Sequence, residues 1–449
     1  MTKTELNSTI PTSPEVSPAV SPAVSPQAET SSRRSFMKTT GVLASAAVAT
    51  NAVLSGRAVH ASVDDTLKIG LVGCGGRGTG AATDALQADP YSKIVALADL
   101  FPDRMEQCRK LLSRQVKDRF AATDETCFSG IDAYKALIDS GVDVVLLCSP
   151  PHFRPAHLEY AINANKHVFC EKPVATDPAG VRKVLETCRI AKEKNLNVIS
   201  GLCWRYHFGV KETIKRIKDG AIGKIIATQE DYLTGTLWLR ERRPDQSDIS
   251  YQMLNWMYYK WLSGDHIVEQ FIHSLDKSLW LHDDEPPTAA YGVGGRQVRN
   301  TPEYGDVYDH FSIVYEWKDG TKTFATTRQF AGCFAEVEDY IFGTKGTAKV
   351  IAHEIAGENP WKYEGANPSM YNQEHNELFA AIRKGETINN GTYMSYSTLM
   401  AILGREVAYS GKRITWDEIL NSKQDLSPAS YDGPAPEVVV PMPGTYKFA

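Results

Sequence analysis

The chain is 449 residues long, 42% hydrophobic and 23% charged, with a formal net charge of −5 at pH 7. That length exceeds one typical domain, so two are expected, and the acidic balance excludes a basic nucleic-acid footprint. Its eight cysteines include no Cys-x-x-Cys pair, which argues for free thiols and against a thiolate metal site.

Residues 1–61 read as a disordered n-region followed by a signal peptide, and residues 1–31 carry no fold pattern. Residues 13–24 form a Ser-Pro repeat, and proline removes backbone donors and blocks helix, so disorder is expected there. Arg33 and Arg34 follow, then a weakly apolar run over 41–54, then small residues at Val59-His60-Ala61. A basic, an apolar and a cleavage region in that order read as a twin-arginine signal peptide. This implies the twin-arginine export machinery as a partner and a periplasmic mature protein. The alternative is a disordered tail with a chance arginine pair. The apolar run is too short for a membrane span, which needs ~20 apolar residues, and no span is expected in the mature chain.

Residues 67–72, 93–98, 142–147, 167–170 and 197–199 are short apolar runs separated by helical stretches, the first opening at Gly78. Strands alternating with helices predict an α/β N-terminal domain over 62–201, a doubly wound parallel sheet of the Rossmann type. Gly73, Gly75 and Gly78 have Gly-x-Gly-x-x-Gly spacing between the first strand and the first helix. Glycine there permits a tight turn and lets the backbone approach a pyrophosphate, while the helix N-terminus offers N–H groups to the anion. Gly76 and Arg77, inside the turn, are assigned to the same contact. Asp99 ends the second strand. A carboxylate there accepts hydrogen bonds from both ribose hydroxyls and repels a 2′-phosphate. Leu100 and Phe101 bring no offsetting cation, so the expected cofactor is NAD rather than NADP. Alternatively, Asp99 only caps a turn.

Ser149-Pro150-Pro151-His152 and His167-Val168-Phe169-Cys170-Glu171-Lys172-Pro173 both follow strand ends, at the edge where open sheets bind ligands. Ser149, Pro150, His152, Glu171 and Lys172 are assigned to the cofactor. With the glycine turn, Arg205-Tyr206 and Glu269-x-x-x-His273-x-x-Asp276, these motifs resemble the Gfo/Idh/MocA family over essentially the whole mature chain. That family includes glucose–fructose oxidoreductase and inositol dehydrogenase, and Glu171-Lys172-Pro173 after a His-Val strand is its most specific mark. The resemblance implies a cis peptide before Pro173 that aims Lys172 at the nicotinamide. It implies a helix that offers an Asp and a His to the substrate, and it puts Arg205 against the cofactor and Tyr206 near the substrate. His273 matches the family His. Glu269 stands at the Asp position, where its extra methylene displaces the carboxylate by about 1 Å against a tolerance of ~0.5 Å.

The chemistry agrees independently. Oxidising a sugar hydroxyl needs a base for its proton while hydride leaves its carbon, and a desolvated lysine beside a positive nicotinamide can serve. Lys172, His273 and Glu269 are therefore the expected catalytic residues, with no metal. On one continuous helix Glu269, His273 and Asp276 share a face, so Asp276 either touches substrate or braces the helix. The plain alternatives are a salt-bridged surface Lys172 and a core aromatic Tyr206.

Residues 222–232, 308–317, 322–330 and 335–342 read as strands, with a turn over 343–347, an extended run at 348–351 and helices at 372–384 and 394–410. They predict an α+β C-terminal domain over 202–433 with a mostly antiparallel, open-faced sheet. By the resemblance, the free face of that sheet builds a homodimer or homotetramer. The proline-rich tail, 434–449, is expected to wrap a neighbouring surface. Between 234 and 261 lie Trp238, Arg240, Arg242, Arg243, Trp256, Tyr258, Tyr259 and Trp261. Aromatic faces suit sugar rings and arginines suit carboxylates or sulfates, so this loop, Trp238 included, is expected over the substrate and favours a sugar acid or a sulfated sugar. An oligomer contact enriches the same residue types.

An exported enzyme has no free NAD pool. The twin-arginine route moves folded proteins, so the cofactor can be loaded first, held tightly and regenerated within each turnover. Three functions fit: an exported NAD-dependent oxidoreductase acting on a carbohydrate, a redox-neutral glycoside hydrolase or lyase working by transient oxidation, and a non-catalytic sugar- or nucleotide-binding protein. Lys172 and His273 argue against the third.

Overall fold

The computed structural model describes residues 65–448, so the segment read as a twin-arginine signal peptide lies outside the described residues. The first sheet contains β1 (Leu67–Val72), β2 (Ser92–Asp99), β3 (Cys127–Ser129), β4 (Val144–Leu147), β5 (His167–Cys170) and β6 (Val198–Ser200). All its pairings are parallel, in the order β3-β2-β1-β4-β5-β6. Five of the six β1 residues and all four of β4 are buried, as a sheet covered by helices on both faces requires. Strand order reverses between β1 and β4. The loops after these two strands diverge there and leave the crevice in which open α/β sheets bind ligands.

The second sheet contains β7 (Ile225–Thr234), β8 (Ala289–Gly295), β9 (His310–Glu316), β10 (Lys322–Gln329), β11 (Glu336–Gly343), β12 (Gly346–Lys349), β13 (Glu354–Gly357), β14 (Trp361–Lys362) and β15 (Ile414–Thr415). Its order is β14-β13-β12-β11-β7-β10-β9-β8-β15. The β7–β10 pair is parallel and the others are antiparallel. Strands β9 and β10 alternate with period two. Phe311, Ile313 and Tyr315 pack inward with Leu275 and Leu279 of helix Ile272–Leu281 and Leu399 and Leu403 of helix Gly391–Ser410. On the other face Tyr291, Val293, Phe324 and Phe342 are exposed.

Two helices tie the halves together. Gly391–Ser410 shares one core with Val174 and Ala175 of the first domain and Tyr315 of the second. Met370–Lys384 follows the second sheet in sequence, yet its Leu378, Phe379 and Ile382 pack with Leu67, Ile69 and Leu71 of β1. The tail wraps this chain's own surface: Pro441 O accepts from Tyr308 Oη (2.8 Å) and Pro436 O from Gln252 Nε2 (3.1 Å).

Candidate active site

The crevice holds a cavity of about 570 Å3, within the roughly 300–1,000 Å3 of small-molecule sites. One end is the glycine turn. Gly73 has φ +97°, and a Cβ there would lie 2.5 Å from Cys148 C, so only glycine lets the loops after β1 and β4 come this close. A Cβ on Gly78 would sit 1.9 Å from Gly73 O, which fixes how tightly the helix Gly76–Ala88 docks on the turn. Gly75 and Gly76 have nothing within 4 Å of a would-be Cβ. They line the cavity at an N-terminus with no side-chain cap and no acid in its first turn. Open backbone N–H groups in a cradle bare of side chains fit a pyrophosphate.

Asp99 lines the cavity next to Leu100 and Phe101. Its Oδ2 accepts from the Cys74 N–H (2.7 Å) and its Oδ1 from the Phe101 N–H (2.8 Å). Burial raises its pKa, and these donors oppose the shift. Asp99 therefore does cap the turn. A carboxylate has about four lone-pair sites, so acceptor capacity remains for ribose hydroxyls. Arg77 reaches from the turn to pair with Glu171, Glu374 and, at 3.3 Å, Asp84. Its guanidinium also lies 4.8 Å from the centre of the Tyr371 ring, which lines the cavity too.

The other end holds the acid–base groups. The Lys172–Pro173 peptide is cis. Lys172 Nζ donates to Glu269 Oε1 (2.9 Å) and to Glu269 O (2.6 Å), the two side chains being 15% and 12% exposed. This lysine is ion-paired, but inside the cavity rather than on the surface. His273 lines the same region, and its Nδ1 is buried without a partner. Burial pushes the imidazole well below the usual histidine range, and the Lys172, Lys277 and Arg77 cations push it further. Beneath it, Lys277 Nζ donates to His273 O (2.7 Å) and pairs with buried Asp339 (3.0 Å).

Glu269 and His273 do not share a continuous helix. The first segment is His266–Glu269 and the second Ile272–Leu281. Between them the Phe271 N–H bonds back five residues to His266 O (3.1 Å), a π-type widening that adds a residue to the turn. Glu269 and His273 line the cavity, and Asp276 does not. Asp276 is 1% exposed and binds Arg205 Nε (2.9 Å), Arg205 Nη2 (2.8 Å) and Ser397 Oγ (2.7 Å).

Ser149, Pro150, Glu171 and Trp238 also line the cavity. Arg205, Tyr206 and His152 do not. Arg205 clamps Asp276 and Asp284 and lies 3.9 Å from the centre of the Tyr393 ring. Tyr206 is a core aromatic, 4% exposed, with its hydroxyl on Asn390 Oδ1 (2.9 Å). His152 contacts the tail through Nε2 and Tyr431 Oη (2.8 Å), and burial lowers it to about 4.

The 234–261 segment splits in its roles. Trp238, Arg240 and Trp256 line the cavity, whereas Tyr258, Tyr259 and Trp261 are buried with Phe153, Leu262 and Val307. Arg242 pairs with Asp248 (2.8 Å) and Arg243 with Asp103 (2.8 Å), so neither is a free anion receptor. Sequence reasoning missed Arg154, His157, Arg104 and Tyr371, which also line the cavity. Among the described residues, no group of three or more His, Cys, Asp or Glu is placed to hold a metal ion.

A glycine cradle at a strand-order reversal, with lysine, carboxylate and imidazole at the far end, defines a two-domain dinucleotide-dependent oxidoreductase. Residues 67–200 match the oxidoreductase family with an NAD-binding Rossmann fold, and residues 210–349 match the GFO/IDH/MocA C-terminal domain. The chain therefore belongs to the Gfo/Idh/MocA family, and its cofactor is NAD. It is 24% identical over 335 residues to the inositol 2-dehydrogenase of Rhizobium meliloti, covering 72% of this chain and 91% of that one. It is 28% identical over 225 residues to the 2,7-anhydro-N-acetylneuraminate hydratase of Escherichia coli, a match spanning 49% of this chain and 55% of the relative. A levoglucosan dehydrogenase solved with NADH and levoglucosan shares the fold, with a TM-score of 0.61 and 19% identity over 78% of this chain and 99% of that one.

Proposed function

We propose that the protein is exported by the twin-arginine route and works in the periplasm as an oxidoreductase on a CH–OH group of a sugar, with NAD retained through turnover. The observation that carries this reading is the Lys172–Glu269 pair beside His273, in the same cavity as the glycine cradle. NAD bound in this cavity would supply the hydride acceptor for the substrate carbon. Lys172 Nζ and Glu269 Oε1 lie 2.9 Å apart, close enough for a proton to pass from one to the other. With that proton on Glu269, the Lys172 amine is free to take the proton of the hydroxyl being oxidised. His273, kept neutral by burial, orients that hydroxyl through a hydrogen bond. Gly75 and Gly76 hold the pyrophosphate, and Asp99 holds the ribose.

A second reading has the hydride return within the same turnover, so that a glycoside is hydrolysed or eliminated with no net redox change. The hydratase relative supports it, and the same Lys172 and His273 would shuttle the proton. Incubating the purified protein with sugars and glycosides, without added NAD, tests both. A bound cofactor that turns to its reduced form supports the oxidoreductase. Cleavage without reduced cofactor supports the redox-neutral route. No change with any sugar or glycoside contradicts both.

We also propose a homodimer or homotetramer across the free face of the second sheet. The register places Phe324 opposite Val314, and Val314 opposite Tyr291, so these apolar side chains form a row across β10, β9 and β8.

A further inference from the structure

Arg154 begins the helix Arg154–Asn163 and lines the reacting end of the cavity, yet it is only 5% exposed. A guanidinium that far from water is ordinarily matched by a carboxylate. Among the described residues none lies within ion-pair distance of it. Nη1 donates to the carbonyl of Pro173, the residue after Lys172, and Nε is buried with no partner. The carboxylates whose field it feels, Glu171 and Glu269, are committed to Arg77 and Lys172.

Three arginines are buried among the described residues, and the other two are accounted for. Arg405 pairs with Glu406 at 2.9 Å. Arg299 binds Tyr308 O and Gln329 and does not line the cavity. Arg154 alone of the three pairs an unmet N–H with a place on the cavity wall.

We propose that Arg154 anchors a carboxylate of the substrate, so that the substrate class is a sugar acid rather than a neutral sugar or polyol. This rests on reading the cavity as a sugar-oxidising site. Guanidinium and carboxylate match in a planar, two-bond geometry, and the anion would sit beside Lys172, holding the ring over the proton acceptor. The cofactor's own pyrophosphate is the competing anion. The bare cradle at Gly75 and Gly76 already fits it.

Calorimetry on the NAD-containing protein, with glucuronate against glucose and galacturonate against galactose, tests the assignment. At least one acid should bind tenfold or more tighter than its neutral partner, and acetate should compete with it. R154Q should erase the preference with the NAD content unchanged, and R154K should keep part of it. Acids and neutral sugars binding alike, including not at all, would overturn the proposal. So would an R154Q protein that keeps the preference or that loses NAD instead. If R154Q does not fold, competition by acetate in the unaltered protein decides alone. Failure of the sugar-oxidation reading looks different: bound NAD is then not reduced by any sugar, whatever the binding preference.

Discussion

At the residue scale, Lys172 is the group on which the proposed chemistry depends. Lys172→Met keeps the length of the side chain and removes the proton acceptor. It should lower turnover by about 10²–10⁴-fold, the usual worth of a positioned acid or base, while the released-nucleotide assay still finds NAD. Gly73→Ala adds a Cβ 2.5 Å from Cys148 C at φ +97°. It should cost about 1–3 kcal/mol in denaturant unfolding and weaken NAD binding.

The residues legible in the sequence were those whose type answers a backbone demand or a motif. Gly73, Gly75 and Gly78 shape the turn, Asp99 ends β2, and Lys172 sits in a marked triplet. Arg154 was not legible, because a single arginine at a helix start looks like any surface arginine until its burial is known. Tyr206 and Arg205 were misplaced for the same reason. Adjacent in sequence, they went to a core and a clamp rather than to the cavity.

At the element scale, strand periodicity gave, to within about three residues, ten of the fifteen strands among the described residues. It missed β3, β8, β13, β14 and β15, four of which are edge or near-edge strands of four residues or fewer. The helix carrying Glu269 and His273 is a different case. A period of 3.6 predicts one face for positions 269, 273 and 276, and the π-type turn at His266–Phe271 breaks that phase. Nothing in the local sequence marks it, because the widening is held by tertiary contacts. Asp265, with φ +77°, accepts from the Tyr308 N–H (2.7 Å) and Tyr409 Oη (2.6 Å).

The clamp that takes Asp276 away from the cavity is buried, with side-chain exposures of 9% for Arg205 and 1% for Asp276. Arg205→Ala leaves an uncompensated carboxylate and should destabilise by about 3–5 kcal/mol. The exposed Arg243–Asp103 pair, 44% and 45% exposed, should be worth within about 1 kcal/mol in the same assay.

For the whole molecule, buried neutral histidines set the acid side of the stability profile. Burial lowers His152 to about 4, and His157 and His375 to about 3. Below pH ~6.5 the unfolded chain takes up protons that the folded chain refuses, so stability falls as pH drops from there. Each of the three should cost about 2 kcal/mol by pH 5. Buried Glu230 and Glu374, raised well above the usual range, oppose this by holding their protons in the fold. Burial also lowers His167, His207, His266, His273, His282 and His353, so the histidines together outweigh the two carboxyls, and urea unfolding at pH 7 against pH 5 should show the loss.

Retention of NAD through turnover, as proposed, requires that the dinucleotide stay with the protein. Its most direct test is to purify the protein without added cofactor, denature it and quantify the nucleotide released. Close to one NAD per chain is expected. A protein that comes out empty and then takes up no NAD when it is supplied would contradict it.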